Sequence, residues 1–374
     1  MRPDRPLVTA VVTVARPDAR LGETLESLTR QLPDPGLLEV LLVDRTAPGT
    51  GPAAHGALGA PGQAGLPLLR RLDAHGLGPS AAHNLATAIA TGRHLTYLGG
   101  DDVLAPGRLE VLAGVLTRLG CDFVRTDHAR GDDAGVVHLR APESRRGTAL
   151  DPRGPLRAFP TRSTADLRSV EVGMFDARLA DAGLLDLPDD LYWSAERPWT
   201  WRLHLRARAY AVVDAPEILL RRAQRPRSGD GAPEEGTDAA AGAPGRRPDL
   251  VAGLRRTLDV VLADPQAERF LPRLARELVD AVGQVLEPAH AAPRGARGAR
   301  AGRDSAALER ETRTLLESLP PAIVRDAVGG SSPACRSALH AVLPRRGATA
   351  RHPRAAGPRL ETHGTLDAAL RAAR

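Results

Sequence analysis

The sequence predicts an α/β fold: a mainly parallel sheet flanked by helices, followed by a small α-helical part. Two observations predict this arrangement. Over the first 126 residues, apolar runs of strand length alternate with stretches whose leucines recur at helical spacing. From about residue 250 onward, helical periodicity replaces the alternation. Strands that alternate with helices favour a parallel sheet with right-handed crossovers, because each helix returns the chain to the same edge.

The alternating part predicts a series of strands and helices. The strands are apolar runs at Leu7–Val14, Leu37–Val43, Pro67–Leu72, His94–Leu98 and Cys121–Thr126. The helices have leucine stripes or Pro, Ser and Gly boundaries and are predicted over 21–32, 80–92 and 106–120. Further elements are predicted over 170–175, 193–205 and 209–220. The Gly-, Pro- and Ala-rich stretch 45–65 predicts a loop.

Composition divides the chain into four parts. Residues 1–222 carry the α/β pattern, and residues 223–249, rich in Pro, Gly, Arg and Glu, are predicted to be a linker. Residues 250–345 are predicted to form a helical C-terminal domain, and 346–374 an Arg- and Ala-rich tail. The helical part could form a homo-oligomer, contact a membrane or stabilise the first domain, and the sequence leaves these roles open.

The charge of the chain does not indicate a nucleic-acid partner. Arginine accounts for all 51 basic residues, against 45 acidic ones, so the net charge is +6. A composition without lysine and rich in Ala, Gly and Pro is typical of a GC-rich genome, and this bias explains an arginine-rich surface without any ligand. Nucleic-acid binding depends on how charge is distributed rather than on its sum, so no nucleic-acid partner is predicted.

Cysteine usage and hydropathy predict a cytoplasmic protein. The two cysteines, Cys121 and Cys335, provide neither a disulfide framework nor a zinc site, and Cys121 is predicted to be a buried apolar residue. The sequence has no signal-peptide pattern and no apolar run of about 18 residues. An arginine-rich surface leaves open a peripheral contact with anionic lipid at the inner face of the membrane.

Carboxylates follow two of the predicted strands. Asp44 ends the second strand, and Asp101 and Asp102 follow Gly99 and Gly100 after the fourth. Ligands of parallel sheets bind at the carboxyl ends of the strands, so these side chains are predicted to meet at a binding edge. Adjacent carboxylates repel each other unless a cation lies beside them, and Mg²⁺ or Mn²⁺ prefers such ligands. The alternative is a turn in which an aspartate caps the next helix.

Five segments, in order, resemble the inverting family 2 glycosyltransferases of the GT-A fold: Leu7–Val14, Glu39–Asp44, Gly78–Asn84, Leu98–Asp102 and Ala195–Leu203. The first two resemble the first two strands of that family. The third resembles its Gly-x-Ser-x-Ala-Arg-Asn helix start, with His83 in place of arginine. The fourth resembles its metal-binding Leu-Asp-x-Asp-Asp segment, with Gly99 in place of the first aspartate. The fifth resembles its acceptor-side Glu-Asp motif, with Ala195 in place of the glutamate.

The resemblance implies a donor site. The residues that it assigns to the nucleotide sugar are Ala15, Asp44, Ser80, Asn84 and Asp101. Asp44 would contact the nucleotide base, although an aspartate after a strand also commonly caps a turn. Asp101, supported by Asp102, would hold a divalent metal ion, Mn²⁺ or Mg²⁺. The donor would be a nucleoside-diphosphate sugar, in the first place a UDP-sugar.

The resemblance also implies an acceptor site. Glu196 stands at the position of the catalytic base, which deprotonates the acceptor hydroxyl, although a glutamate at a helix N-terminus is also favoured by the helix dipole. Trp193, Trp199 and Arg197 are the predicted acceptor contacts. Indole rings can stack on sugars but more often fill cores, and Trp201 is assigned to the core.

The function that the sequence predicts is metal-dependent, inverting transfer of a sugar to a hydroxyl of a glycan or lipid-linked acceptor, in cell-surface polysaccharide or cell-wall polymer synthesis. Because Gly99, His83 and Ala195 depart from the family pattern, a catalytically degenerate protein that binds a glycan or scaffolds a partner is the alternative. A nucleotidyltransferase also pairs carboxylates on an α/β sheet, but the sequence has no clear Gly-rich triphosphate loop with a basic residue.

Overall fold

The structure, a computed structural model, describes residues 5–16, 20–50, 65–132, 135–157, 161–221, 246–291 and 299–342. The chain divides into two compact units, residues 1–240 and 241–374. Most of the predicted linker, the predicted tail and most of the predicted loop 45–65 lie outside the described residues. The last four residues of the predicted linker, 246–249, belong to a helix.

The first unit contains eleven strands and six helices in its described residues. The strands are β1 Val8–Val14, β2 Leu38–Asp44, β3 Leu68–Asp73, β4 His94–Gly99, β5 Val103–Leu104, β6 Phe123–Thr126, β7 His128–Asp132, β8 Gly135–Leu139, β9 Gly173–Asp176, β10 Tyr210–Val213 and β11 Ile218–Arg221. The helices are α1 Leu21–Leu28, α2 Pro79–Ile89, α3 Arg108–Leu119, α4 Gly154–Arg157, α5 Arg178–Asp181 and α6 Glu196–Arg206.

The main sheet has seven strands in the order β10-β6-β9-β4-β1-β2-β3. Six of them run parallel, and β9 runs antiparallel to both of its neighbours. The prediction of a mainly parallel sheet is therefore confirmed, with β9 as the exception that the sequence pattern did not indicate. A second sheet of four strands, β5-β11-β7-β8, was also not predicted.

Pairing along β1 sets the geometry of the binding edge. Val14 of β1 is in register with Asp44 of β2, and Thr13 is in register with Gly99 of β4. Because the carboxyl ends of parallel strands meet at one edge, the residues that follow β1, β2 and β4 lie together. The register thus places Asp44 and the Asp101–Asp102 turn at the same edge of the sheet.

Apolar side chains cover both faces of the main sheet. On one face, the predicted leucine stripe of α1 packs with α3, and Leu21, Leu25 and Leu28 are buried. The other face carries Trp199 and Leu203 of α6. These two side chains hold α6, whose first residue is Glu196, against the sheet.

The second unit is helical in its described residues, as predicted. Its helices are α7 Arg246–Leu262, α8 Leu271–Ala291, α9 Ala299–Glu317, α10 Pro321–Gly329 and α11 Pro333–Val342. Cys335 is buried against Gly283, where a side chain would collide with its sulfur. Cys121, in the first unit, is also buried and free. Among the described helices, none is both long enough and apolar enough to cross a membrane.

Candidate functional site

The turn after β4 carries two aspartates with different surroundings. Asp102 is buried, and its carboxylate accepts hydrogen bonds from the backbone N–H groups of Gly99 at 2.7 Å and Arg221 at 3.2 Å. Burial first, and then the negative charges of Glu171 and Asp101, raise the pKa of Asp102 to about 8, while these two hydrogen bonds lower it. Asp102 therefore fastens the turn to β11 and lies in a local excess of negative charge.

Asp101 lies nearer the surface and is paired with an arginine. Its Oδ2 is 3.1 Å from Nη2 of Arg16, which follows the end of β1. The side chains of Arg16 and Asp101 are 39% and 19% exposed. A partly exposed pair of this kind contributes little to stability and can exchange for another cation. Ala15, the predicted donor contact next to Arg16, is exposed at the same edge.

The glycine that replaces the first aspartate of the family motif has a local cause. A Cβ atom on Gly99 would lie 3.2 Å from Oδ2 of Asp102, closer than an ordinary contact. A side chain at this position would press on the carboxylate that caps the turn, and an aspartate would add a further negative charge. The departure at Gly99 is thus consistent with the hydrogen bond from its own N–H to Asp102.

The oxygen ligands at this turn fit a hard divalent cation. Mg²⁺ typically takes one or two protein carboxylates and completes its octahedron with water and substrate phosphates, which Asp101 and Asp102 would allow. Among the described residues, the group of three side chains that could hold a metal ion is a different one, Asp44, Asp73 and His75. There, Nη2 of Arg71 already lies 2.9 Å from a carboxylate oxygen of each aspartate.

Asp44 is fully buried at the end of β2 and does cap a turn. Its Oδ1 accepts hydrogen bonds from the backbone N–H of Thr46 at 3.0 Å and from the Thr46 hydroxyl at 2.6 Å. Its Oδ2 pairs with Arg71 of β3. The structure thus contains the turn that the sequence offered as one interpretation, while the contact of Asp44 with a base stays a prediction.

In helix α2, the residues predicted to bind the nucleotide sugar form hydrogen bonds to the segment 185–191. Ser80 Oγ donates to the carbonyl of Leu191 at 2.9 Å. Asn84 Nδ2 donates to the carbonyl of Leu187 at 2.7 Å, and Asn84 Oδ1 accepts from the Leu187 N–H at 2.7 Å. Residues 185–191 lead into α6, so this geometry gives Ser80 and Asn84 a role different from the nucleotide-sugar contact that the resemblance implies.

His83 belongs to the same arrangement. Its Nε2–H donates to the carbonyl of Leu185 at 3.0 Å, and its ring stacks on Tyr97 with centroids 4.2 Å apart. Burial lowers the pKa of His83 to about 4, so the ring is neutral at physiological pH. A charged arginine, which the family pattern has here, would be costly in this buried setting.

Glu196 is the first residue of α6 and is partly buried. Its Oε1 accepts a hydrogen bond from the backbone N–H of Val170 at 3.0 Å. This hydrogen bond and the position of Glu196 at the start of the helix fix where its carboxylate lies. Arg197, the next residue and a predicted acceptor contact, is also partly buried.

The tryptophans divide between core and surface. Trp199 and Trp201 are each 1% exposed, and Trp199 packs edge-to-face on Phe175 with centroids 5.7 Å apart. The prediction that Trp199 contacts the acceptor is therefore wrong, because its ring is enclosed by the core; the assignment of Trp201 to the core matches its burial. Trp193 is only half-buried and packs on the exposed Tyr192, so it remains the predicted acceptor platform.

Sequence reasoning missed three charged residues. Arg16 is described above, and Glu171 lies near enough to Asp102 to raise its pKa. Arg125 of β6 is fully buried, and both Glu171 and Glu196 lie near enough to raise its pKa. Electrostatic interactions thus link Asp102 to Asp101 and Glu171, and Arg125 to Glu171 and Glu196, and these four carboxylates are called the carboxylate row below. Arg125 and Glu171 could have been found from the sequence, because each is a charged residue inside an otherwise apolar predicted element.

Comparison with known proteins agrees with the fold. Residues 9–154 match the family described as Glycosyl transferase family 2. The fold is similar to S. aureus TarS 1–349 in complex with UDP-GlcNAc, with 16% identity, a TM-score of 0.55, and coverage of 83% of this chain and 90% of that one. For the same protein in complex with UDP, the identity is 14%, the TM-score 0.55, and the coverage 87% and 92%. No curated protein sequence matches the chain.

Proposed function

We propose that this chain, whose residues 9–154 match glycosyl transferase family 2, transfers a sugar from a UDP-sugar to an acceptor hydroxyl, with inversion at the anomeric carbon. The observation that carries the proposal is the carboxylate row, which lies where ligands of such sheets bind. The similar TarS structures hold UDP-GlcNAc and UDP, which supports a uridine nucleotide as the first donor to test.

On the donor side, Asp101 and Asp102 would hold a divalent ion, Mn²⁺ or Mg²⁺, which would supply positive charge for the leaving diphosphate. Arg16 exchanges its pairing with Asp101 for the diphosphate. Arg16, once released, has its guanidinium next to the diphosphate and can pair with a phosphate oxygen. Ala15 leaves the mouth of the site open, since its side chain is small and exposed.

On the acceptor side, Glu196 is the general base. It takes the proton from the acceptor hydroxyl while that oxygen bonds to the anomeric carbon. The bond from the anomeric carbon to the diphosphate oxygen breaks at the same time, and the nucleoside diphosphate leaves. Trp193 and Arg197 flank Glu196 in sequence and contact the acceptor. By resemblance to the family, the acceptor is a glycan or lipid-linked precursor of a cell-surface or cell-wall polymer.

Release of UDP tests this function without knowledge of the acceptor, because water can take the place of the acceptor hydroxyl in a slow hydrolysis of the UDP-sugar. The full-length protein is incubated with UDP-GlcNAc, UDP-GalNAc and UDP-glucose in Mn²⁺, and UDP is measured. We expect release from at least one donor, and a loss of at least about 100-fold in Glu196→Gln. No release above background from these or from GDP- and dTDP-sugars, also with simple glycan acceptors added, would contradict the proposal.

A further inference from the structure

Arg125 is an arginine buried beneath the acceptor side of the site. It lies on β6 with no exposed surface, and it is in register with Gly173 of β9. A Cβ atom on Gly173 would lie 3.3 Å from Cδ of Arg125 and would collide with the carbonyl of Val124. The side chain of Arg125 therefore crosses β9 at the position where that strand has no side chain. Fully buried arginines are rare, so this one calls for an explanation.

Three aromatic rings surround the guanidinium. Its Cζ atom lies 5.3 Å from the ring centroid of Trp199, 5.6 Å from that of Phe175 and 5.9 Å from that of Phe123. Cation–π attraction offsets part of the desolvation of the charge. An apolar side chain would nevertheless fill the same space at lower cost, because replacing a buried charge by a well-packed apolar group is often neutral or stabilising.

The hydrogen bonds of Arg125 all go to one short segment, residues 169–172. Its Nη1 donates to the carbonyl of Ser169 at 2.8 Å and, at 3.4 Å, to that of Val172. Within the described part of the chain, Nε and Nη2 have no hydrogen-bond partner. The guanidinium is thus used to hold this segment and not to form a hydrogen-bonded ion pair.

The same segment holds two carboxylates of the row. The Val170 N–H donates to Glu196 Oε1 at 3.0 Å, and the Ser169 hydroxyl donates to Glu171. The charged and titratable groups that face Arg125 are Glu171, Glu196 and the hydroxyl of Tyr210. Burial lowers the pKa of Arg125 to about 10 even though these three groups act in the opposite direction, so the side chain is a cation at neutral pH.

We propose that Arg125 is a positioning residue for the transfer reaction: it fixes the segment 169–172 and, through the Val170 N–H, orients the carboxylate of Glu196. The proposal rests on the proposed function, in which Glu196 is the base. It assigns no contact with substrate to Arg125, since the guanidinium is covered by the segment that it holds.

Arg125→Met tests the role of the charge, because methionine is a long, flexible apolar side chain that can fill the space between the three aromatic rings. In the full-length protein, we expect kcat for UDP release to fall about 10- to 100-fold while the Kd of UDP changes less than about twofold. Loss of the cation raises the pKa of Glu196, so the acid limb of the kcat–pH profile moves to higher pH. Arg125→Lys keeps the charge and loses the planar fork, so kcat falls while the acid limb stays in place.

Arg108→Met is the matched control, because Arg108 is a buried arginine that donates to Pro216 and Thr126 and not to the segment 169–172. It should lower the melting temperature without moving the acid limb. A wild-type kcat and acid limb in folded Arg125→Met would overturn the proposal. If Arg125→Met does not fold, an Arg125→Lys variant with wild-type kcat would overturn it equally.

A titration of ¹³C-labelled glutamate side chains separates this inference from the proposed function, because it needs no turnover. The Glu196 signal is assigned with Glu196→Gln. An upward shift of the Glu196 pKa in Arg125→Met supports the positioning role, and an unchanged Glu196 pKa contradicts it. Absence of UDP release by the wild-type protein would contradict only the proposed function.

Discussion

The two ends of the carboxylate row compensate their charge in different ways. At the donor end, Asp101 pairs with Arg16, whose side chain is 39% exposed. At the acceptor end, Glu196 lies near Arg125, whose side chain is fully buried. An exposed pair is weak and exchangeable, whereas a buried guanidinium is fixed by its surroundings. Under the proposed function, this difference gives a donor end that exchanges its cation with each diphosphate and an acceptor end that keeps its base in one place.

The largest expected effect separates the two ends by kinetics. Glu196→Gln removes the proton acceptor while keeping the size of the side chain, so kcat should fall by about 10²- to 10⁴-fold. The Kd of UDP should change less than about twofold, because Glu196 contacts no part of the nucleotide in the proposed reaction. Steady-state UDP release combined with calorimetry measures both quantities. Loss of both UDP binding and kcat in Glu196→Gln would show that Glu196 acts at the donor end and not at the acceptor end.

A smaller effect is expected from the contact between α2 and the segment that leads to α6. Asn84→Ala removes three side-chain hydrogen bonds, to Leu187 N–H, the Leu187 carbonyl and Asp189. We expect a loss of about 1–3 kcal/mol in the free energy of unfolding of the first unit. Because all three tryptophans lie within residues 193–201, their fluorescence reports on this unit alone.

The control for Asn84→Ala is Ser80→Ala, which removes one hydrogen bond to the same segment and should have a smaller effect in the same direction. Both variants should bind UDP with nearly wild-type affinity. If Asn84→Ala lost UDP affinity at an unchanged melting temperature, the nucleotide contact implied by the family resemblance would be right and the segment-holding role secondary.

The smallest effect is a pH dependence of stability that comes from Asp102. Its folded-state pKa of about 8 is above the usual value for aspartate, mainly because of burial. A raised folded-state pKa means that the stabilising contribution is lost as the pH rises toward and through 8. With EDTA present to remove divalent ions, the melting temperature should therefore fall between pH 7 and pH 9. Histidines of the unfolded chain titrate below this range and do not contribute to the decrease.

Asp102→Asn tests this source of the pH dependence. The amide is neutral at every pH, as the Asp102 carboxyl largely is at pH 7. The decrease in melting temperature from pH 7 to pH 9 should therefore be smaller than in the wild type. Equal decreases in both proteins would mean that another group titrates. Tryptophan fluorescence during thermal unfolding is again the measurement.

Much of this architecture was predictable because it depends on local patterns. The runs around β1, β2 and β4 are apolar and bounded by polar turns, so both the strands and the carboxylates at their ends follow from the sequence. The antiparallel strand β9 was not predictable, since its direction depends on the path of the chain before it. No local pattern marks a strand that inserts between β4 and β6 in the opposite direction.

The site itself was predictable only where a residue acts through its place in an element. Asp101 follows a strand and Glu196 begins a helix, and both positions are visible in the sequence. Asn84 and Ser80 act through partners more than 100 residues away, which the sequence does not reveal. The burial of Arg125 and Trp199 likewise depends on how several elements pack together. Sequence reasoning therefore missed Arg125 and assigned Trp199 to the acceptor site.

Calorimetric titration with UDP tests the central claim, that this edge of the sheet binds a nucleoside diphosphate, most directly. Wild type, Asp101→Asn and Glu196→Gln are titrated with and without Mn²⁺. The account predicts Mn²⁺-dependent binding at micromolar concentration in the wild type and in Glu196→Gln, weakened at least about 10-fold in Asp101→Asn. Equal UDP affinity in the wild type and Asp101→Asn, or no binding of UDP, GDP or dTDP to the wild type, would contradict it.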